Sequence, residues 1–306
     1  MEFERFEKRV PSSDGKNTLV GTVYVPNGEI KGLFHLVHGM TEYIDRYTPL
    51  MSQIAAEGFV CFGFDNLGHG RTAKDDEELG FIASKDGYKY LVDDVKAFAD
   101  EVRKDYPDSP YTLMGHSMGS FIVRLHAAKY GESVDKLIIC GTAGKNPAAK
   151  MGLALCSMIK KFRGERAVSP LLEGIAFGSY NKRFEGNSKY EWLTNDREII
   201  SKYEQDKYCT FHFTASAMHD LISLIYHCNK PDCFSAIKSD MPIFIIAGDM
   251  DPVGNYGKGV EEVYNNFKTS GHTDVNLKLY KDCRHEIHND KCKAEMTEDI
   301  IKFITK

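Results

Sequence analysis

Ser117 lies in Gly115-His116-Ser117-Met118-Gly119, between an apolar run at 111–114 and a segment at 120–130. In that segment Phe121, Ile122, Leu125 and His126 recur at helical spacing. G-x-S-x-G between a strand and a helix is a nucleophile elbow. A serine at such a turn presents its Oγ clear of the backbone. The flanking glycines let strand and helix cross closely. The amide of Met118 then points to the side where an oxyanion would develop. The chemistry is nucleophilic catalysis, which needs a base and an acid to orient it.

Both partners are expected on loops after later strands, in the order Ser, Asp or Glu, His. Asp251 lies just beyond the apolar run 242–248, and His285 just beyond the run 275–280. Asp249 is a rival acid, nearer the strand end. His272 and His288 are rival bases; His272 precedes the last strand and sits at its wrong end. A second oxyanion donor is expected after the first buried strand, where His38-Gly39-Met40 stands. Gly39 allows close approach of the backbone and the Met40 N–H is the donor.

The elements that must hold these residues are legible as alternating periods. Residues 3–11 and 17–26 read as two antiparallel strands joined at Ser13-Asp14-Gly15. The runs 31–37, 59–65, 111–116, 136–140 and 242–248 are near-continuously apolar, which suits strands buried on both faces. Helical patterns fall at 47–57, 88–106, 260–267 and 294–304. Strands alternating with helices predict an α/β fold with a doubly wound, mostly parallel sheet. The alternation stops near 144 and resumes at 242, too long a gap for a structureless loop. The domain reading is therefore a core of 1–144 and 241–306 with an inserted helical cap over 145–240.

With 306 residues, a net charge of -5 and no basic patch, the chain has no nucleic-acid footprint. The N-terminal residues are charged throughout, unlike a secretory signal. No apolar run reaches the roughly 18 residues of a spanning helix. The eight cysteines form no CxxC pair, so they read as reduced thiols in a cytoplasmic protein. His227, Cys228 and Cys233 fit no zinc spacing, and no metal or organic cofactor is expected.

Five stretches, HGMTEYIDRY (38–47), FDNLGHGRT (64–72), GHSMG (115–119), GDMDPV (248–253) and CRHEIHND (283–290), carry a resemblance spanning nearly the whole chain. It resembles the monoacylglycerol lipase and lysophospholipase branch of the α/β-hydrolase superfamily, the serine aminopeptidase-like group. The resemblance implies Ser117 as nucleophile, Asp251 as acid, His285 as base, and Met40 and Met118 as oxyanion donors. The G-x-x-D spacing from Gly248 supports Asp251 over Asp249. The turn containing His69 is implied to be structural. Proline-iminopeptidase relatives usually carry Gly-Gly-Pro-Gly where this chain has His38-Gly39-Met40-Thr41. The stretch 192–209 resembles the family, whereas the first half of the cap departs from it.

The implied substrate is a small acyl ester or lipid, cleaved through an acyl-enzyme. Amide or peptide cleavage and acyl transfer by the same triad are the alternatives, and a non-catalytic ligand-binding protein on the same fold is a third. The apolar run 148–159, followed by Lys160-Lys161-Phe162-Arg163, reads as pocket lining through Leu155, Met158 and Ile159, as a lipid-facing helix, or as ordinary packing. Phe211, Phe213, Met218, Leu221, Leu224 and Ile225 are spaced for one face of a second cap helix.

Overall fold

The computed structural model describes residues 2–306. Strands β1 (Phe3–Pro11), β2 (Thr18–Pro26), β3 (Gly32–Val37) and β4 (Phe59–Phe64) come first, with helix α1 (Thr48–Ala56) between the last two. Then follow α2 (Gly87–Arg103), β5 (Tyr111–His116), α3 (Met118–Tyr130) and β6 (Lys136–Cys140). Helices α4 (Ala149–Arg163), α5 (Pro170–Phe177), α6 (Arg197–Gln205), α7 (Ala215–Cys228) and α8 (Pro231–Ala236) precede β7 (Ile243–Gly248). The chain ends in α9 (Lys258–Thr269), β8 (Val275–Tyr280) and α10 (Lys293–Ile304).

The eight strands form one sheet in the order β1-β2-β4-β3-β5-β6-β7-β8. β2 runs antiparallel to both its neighbours, and every pairing from β4 to β8 is parallel. The continuous apolar runs are explained by period-2 geometry. In β3, Leu33 and Val37 join the apolar layer on one face, and Phe34 and Leu36 the layer on the other. The first layer is completed by α2, α3, α7 and α9, and the second by α1 and α10. Each fully buried Leu, Ile or Phe in these layers contributes about 1.5–3 kcal/mol of transfer free energy.

Between β6 and β7 the chain carries helices α4 to α8 joined by irregular segments, with one β-bridge, Val168 with Thr214. Its last part is continuous with the core. α7 packs on α2 and α3, and α8 packs on α3 and α9. The apolar stripe expected to begin at Phe211 is shorter as a helix than its spacing suggests. Thr214 caps α7 by accepting the Ala217 N–H at 3.2 Å, so Phe211 and Phe213 lie in the segment before it. The side-chain cap supplies an acceptor for an orphan first-turn amide and so fixes where the helix starts. Among the described residues no helix is long and apolar enough to cross a membrane.

Candidate active site

Ser117 follows β5 directly and precedes α3 with φ 53° and ψ -120°. A non-glycine residue held in such a region costs about 1–3 kcal/mol, and strain of this kind concentrates at functional turns. The surroundings enforce it. A Cβ at position 119 would stand 2.1 Å from the Val37 carbonyl oxygen, so only glycine lets α3 cross β3 there. The Ser117 amide is held by the Cys140 carbonyl at 3.0 Å. The loop after β3 lies against the serine: a Cβ at Gly39 would be 2.9 Å from the Ser117 Cβ. Glu42 takes the Gly39 N–H at 2.5 Å. The Met40 and Met118 amides have no protein acceptor among the described residues. For Met118 that is the normal state of a first-turn helix amide.

Asp251 sits on the loop after β7 and is fully buried. Its Oδ2 is 2.8 Å from Nδ1 of His285, and its Oδ1 accepts the Val253 N–H at 2.8 Å. His285 sits on the loop between β8 and α10, with the edge of its ring facing the end of β6. A Cβ on Gly141 would be 3.2 Å from His285 Cε1. Of the rivals, Asp249 bonds through its amide to Tyr280, and its Oδ1 has no partner. His272 bonds the Phe267 carbonyl at 3.1 Å, at the far end of β8. His288 stacks on Tyr47 with ring centroids 4.3 Å apart. Burial first, and then the neighbouring His116, push its pKa down to about 3. Neither His272 nor His288 contacts Asp251.

A buried polar cluster behind these loops was not visible from spacing. Arg46 donates to Glu286 at 2.7 and 2.8 Å and to Glu42 at 3.0 Å. Tyr47 donates to Glu42 Oε1 at 2.8 Å and lies 2.7 Å from His116 Nδ1. Burial alone would raise the Glu42 pKa, but the His116 hydrogen bond and the Arg46 charge hold it well below the usual carboxylate value. Burial works against a charged His116, yet the Glu42 hydrogen bond, the Glu42 and Glu286 charges and the His285 carbonyl together outweigh it and raise the imidazole. His116 Nε2 then reaches the His285 carbonyl at 3.2 Å. The cluster ties the loop carrying Met40 to the loop carrying His285. The only hint in the sequence is the density of charge in HGMTEYIDRY and CRHEIHND. His69, implied to be structural, is fully buried with Nδ1 2.9 Å from the Leu67 carbonyl.

Ser117 and His285 open into one cavity of about 750 Å³. Met40, Met118 and Phe121 line it from the core, and Phe177, Tyr180, Trp192, Leu221 and Ile225 from the inserted helical segment. Leu155, Met158 and Ile159 do not line it. Leu155 and Ile159 pack against the apolar core layer, and Met158 is half exposed on the outer side of α4. The physical reason is that α4 is apolar around much of its circumference and lies along α7, so α7 and the loop residues before it stand between α4 and the cavity. All eight cysteines are buried and unpaired.

Residues 28–292 match the family described as serine aminopeptidase, S33. A monoacylglycerol lipase of Mycolicibacterium smegmatis is 24% identical over 291 residues, covering 94% of this chain and 92% of the relative. A thermostable carboxyl esterase from Bacillus coagulans, solved in complex with glycerol, is 32% identical with a TM-score of 0.92. That match covers 98% of this chain and 97% of the esterase. A soluble variant of the Saccharomyces cerevisiae monoglyceride lipase shares the fold at 19% identity, with a TM-score of 0.76 over 99% of this chain and 93% of that one. The chain belongs to the serine aminopeptidase S33 family, in the monoacylglycerol lipase and lysophospholipase branch of the α/β-hydrolases, and is an ester hydrolase of that superfamily.

Proposed function

We propose that this chain hydrolyses monoacylglycerols, lysophospholipids or acyl esters like them, with Ser117 as nucleophile, His285 as base and Asp251 as acid. One observation carries the reading: a serine on a strained elbow shares a cavity with a histidine whose Nδ1 is 2.8 Å from a fully buried aspartate. Asp251 accepts the Nδ1–H and so leaves Nε2 free to take the Ser117 proton. The Ser117 oxygen attacks the ester carbonyl. The Met40 and Met118 amides receive the developing oxyanion, each such donor being worth about 10²–10³ in kcat. His285 returns its proton to the departing alcohol, and water then releases the acyl group by the reverse path. No metal or cofactor takes part in this scheme.

The helical segment 145–240 is the cap in this reading, and the side chains it turns into the cavity form the acyl site. The names of the M. smegmatis and S. cerevisiae relatives support a monoacylglycerol as substrate. The outer face of the segment supports access from a lipid surface. Met151, Met158 and Phe162 of α4 and Leu171 and Ile175 of α5 are exposed, with Lys150, Lys160, Lys161 and Arg163 also on α4. An amphipathic patch of this kind suits the interface of a bilayer or micelle.

The test is Ser117→Ala, with a fluorophosphonate probe and a panel of p-nitrophenyl esters, monoacylglycerols, lysolipids and aminoacyl amides. The variant should lose labelling and fall in turnover by on the order of 10⁴ or more. Full labelling of the variant refutes the nucleophile. A parent protein that prefers the amides, or that transfers its acyl group to an added alcohol in preference to water, moves the reading to peptidase or acyltransferase.

A further inference from the structure

The loop that carries His285 is held from two sides. The core holds it through Asp251 and through His116 on the His285 carbonyl. The inserted segment holds it along residues 191–195, which follow the loop bond by bond. His285 N–H donates to the Trp192 carbonyl at 3.3 Å, and Glu286 N–H to the Leu193 carbonyl at 2.7 Å. Thr194 Oγ1 donates to the Asn289 carbonyl at 2.8 Å, and Arg284 Nη1 to the Thr194 carbonyl at 2.9 Å. The indole of Trp192 lies 5.1 Å from the His285 imidazole, centroid to centroid, inclined at 39°. Tyr180 also meets the indole edge-on, with ring centroids 5.0 Å apart.

An imidazole that must take a proton from a serine and hand it to a leaving group turns about two side-chain torsions, and the one about Cβ–Cγ, which sets the plane of the ring, is the softer. Asp251 fixes the Nδ1 edge of the ring in its plane. It does not stop the ring tilting about that hydrogen bond. A flat, wedged side chain beside the face does. We infer that Trp192 is a positioning residue for His285, and that residues 191–195 are a strap by which the inserted segment sets the orientation of the base. The inference rests on the reading of His285 as the base. It gives the insertion a part in turnover that is separate from lining the acyl site. It also accounts for the placement of the chain's single tryptophan.

The experiment uses the full chain with Trp192→Leu, Trp192→Phe and Thr194→Val, and with p-nitrophenyl acetate as substrate. It measures kcat, KM, the rate constant for fluorophosphonate labelling and the melting temperature. Displacing a reacting group by about 1 Å can cost on the order of 10²-fold in rate, so a loosened base should cost roughly tenfold or more in kcat. Trp192→Leu should show that loss with KM within about twofold, and the labelling rate should fall by the same factor, because labelling also needs the base. Trp192→Phe, which restores a flat ring, should recover most of it. Thr194 does not line the cavity, and Thr194→Val keeps the side-chain shape while removing the bond to the Asn289 carbonyl and the one its hydroxyl accepts from the Asp196 N–H, so its melting temperature is read beside its kcat. It removes one bond of the strap, and kcat should fall by a few-fold with KM unmoved. A rise in KM with kcat intact in Trp192→Leu overturns the inference and makes Trp192 a wall of the cavity. Unchanged kcat in Thr194→Val overturns the strap. His285→Ala separates the two levels. If it still labels, the base is misassigned; if it does not and the Trp192 and Thr194 variants match the parent, the positioning inference alone fails.

Discussion

Replacing Arg46 with methionine tests whether the buried cluster braces the site. Methionine retains most of the side-chain length and removes the charge. The Arg46 side chain is 10% exposed, and those of Glu42 and Glu286 are 3% exposed each. The guanidinium makes three hydrogen bonds to these two carboxylates, and its Cζ lies 4.9 Å from the Tyr203 ring centroid. Removing one partner of a buried ion pair typically costs about 3–5 kcal/mol, because the remaining charge stays desolvated. Glu42 keeps Tyr47, His116 and the Gly39 amide, whereas Glu286 keeps only Asn289 as a side-chain partner. The unpaired charge therefore falls mainly on Glu286. With an unfolding entropy of about 2.1 cal/mol/K per residue, a 306-residue chain should lose roughly 5–8 °C in melting temperature near pH 7.5. In the parent both carboxyls have pKa values held below the ordinary value of 4.5. Their contribution is present above that pH and lost as pH falls through the lowered values. Without Arg46 the carboxyls bind protons more readily, so the gap between variant and parent should narrow below about pH 5. Adding Glu286→Gln to Arg46→Met should recover part of the loss. Turnover should fall on the order of tenfold, since Glu286 adjoins His285 and Glu42 holds the Gly39–Met40 loop. Melting curves by differential scanning calorimetry across pH 4.5–8 make the check. A variant within about 1 kcal/mol of the parent at pH 7.5, or one whose deficit grows on acidification, refutes the reasoning.

Asp251→Asn should lower kcat by on the order of 10⁴ while Asp249→Asn stays within about tenfold of the parent, measured with one short ester. The reverse ranking would move the acid to Asp249. A charge placed in the cavity by Ile225→Asp should weaken long-chain esters against acetate by an amount growing with each methylene removed from contact, about 0.8 kcal/mol apiece. Leu155→Asp should instead lower the melting temperature and leave the chain-length profile of kcat/KM unchanged, because Leu155 packs on the core outside the cavity.

How much of this could be seen in the sequence depends on how local each determinant is. The elbow is legible because its demands fall within five residues: two glycines for clearance, one strained serine, and a strand and helix that declare their periods on either side. Asp251 and His285 are legible because each follows a strand of the parallel sheet, an unbroken apolar run before Asp251 and the shorter, more polar run 275–280 before His285, so the loop position brings both to the same end of the strands. The parallel strands are legible for the same reason, since burial on both faces removes the alternation that an exposed face would impose. Arg46 and Glu286 are a different case. Their bond joins residues 240 apart, and nothing near either of them distinguishes a buried ion pair from a solvated charge. The pocket was misplaced through a related limit. An apolar helix such as α4 records that it is buried but not by what, and its three apolar directions here meet the core, α7 and solvent. Trp192 escapes notice because it lies in a stretch without strong period, where only the pairing of residues 191–195 with the loop after β8 gives its side chain a fixed place. Local sequence therefore specifies the elbow serine and the Asp251–His285 pair. The contacts that hold those groups still come from segments distant in the chain, and long-range pairing decides them.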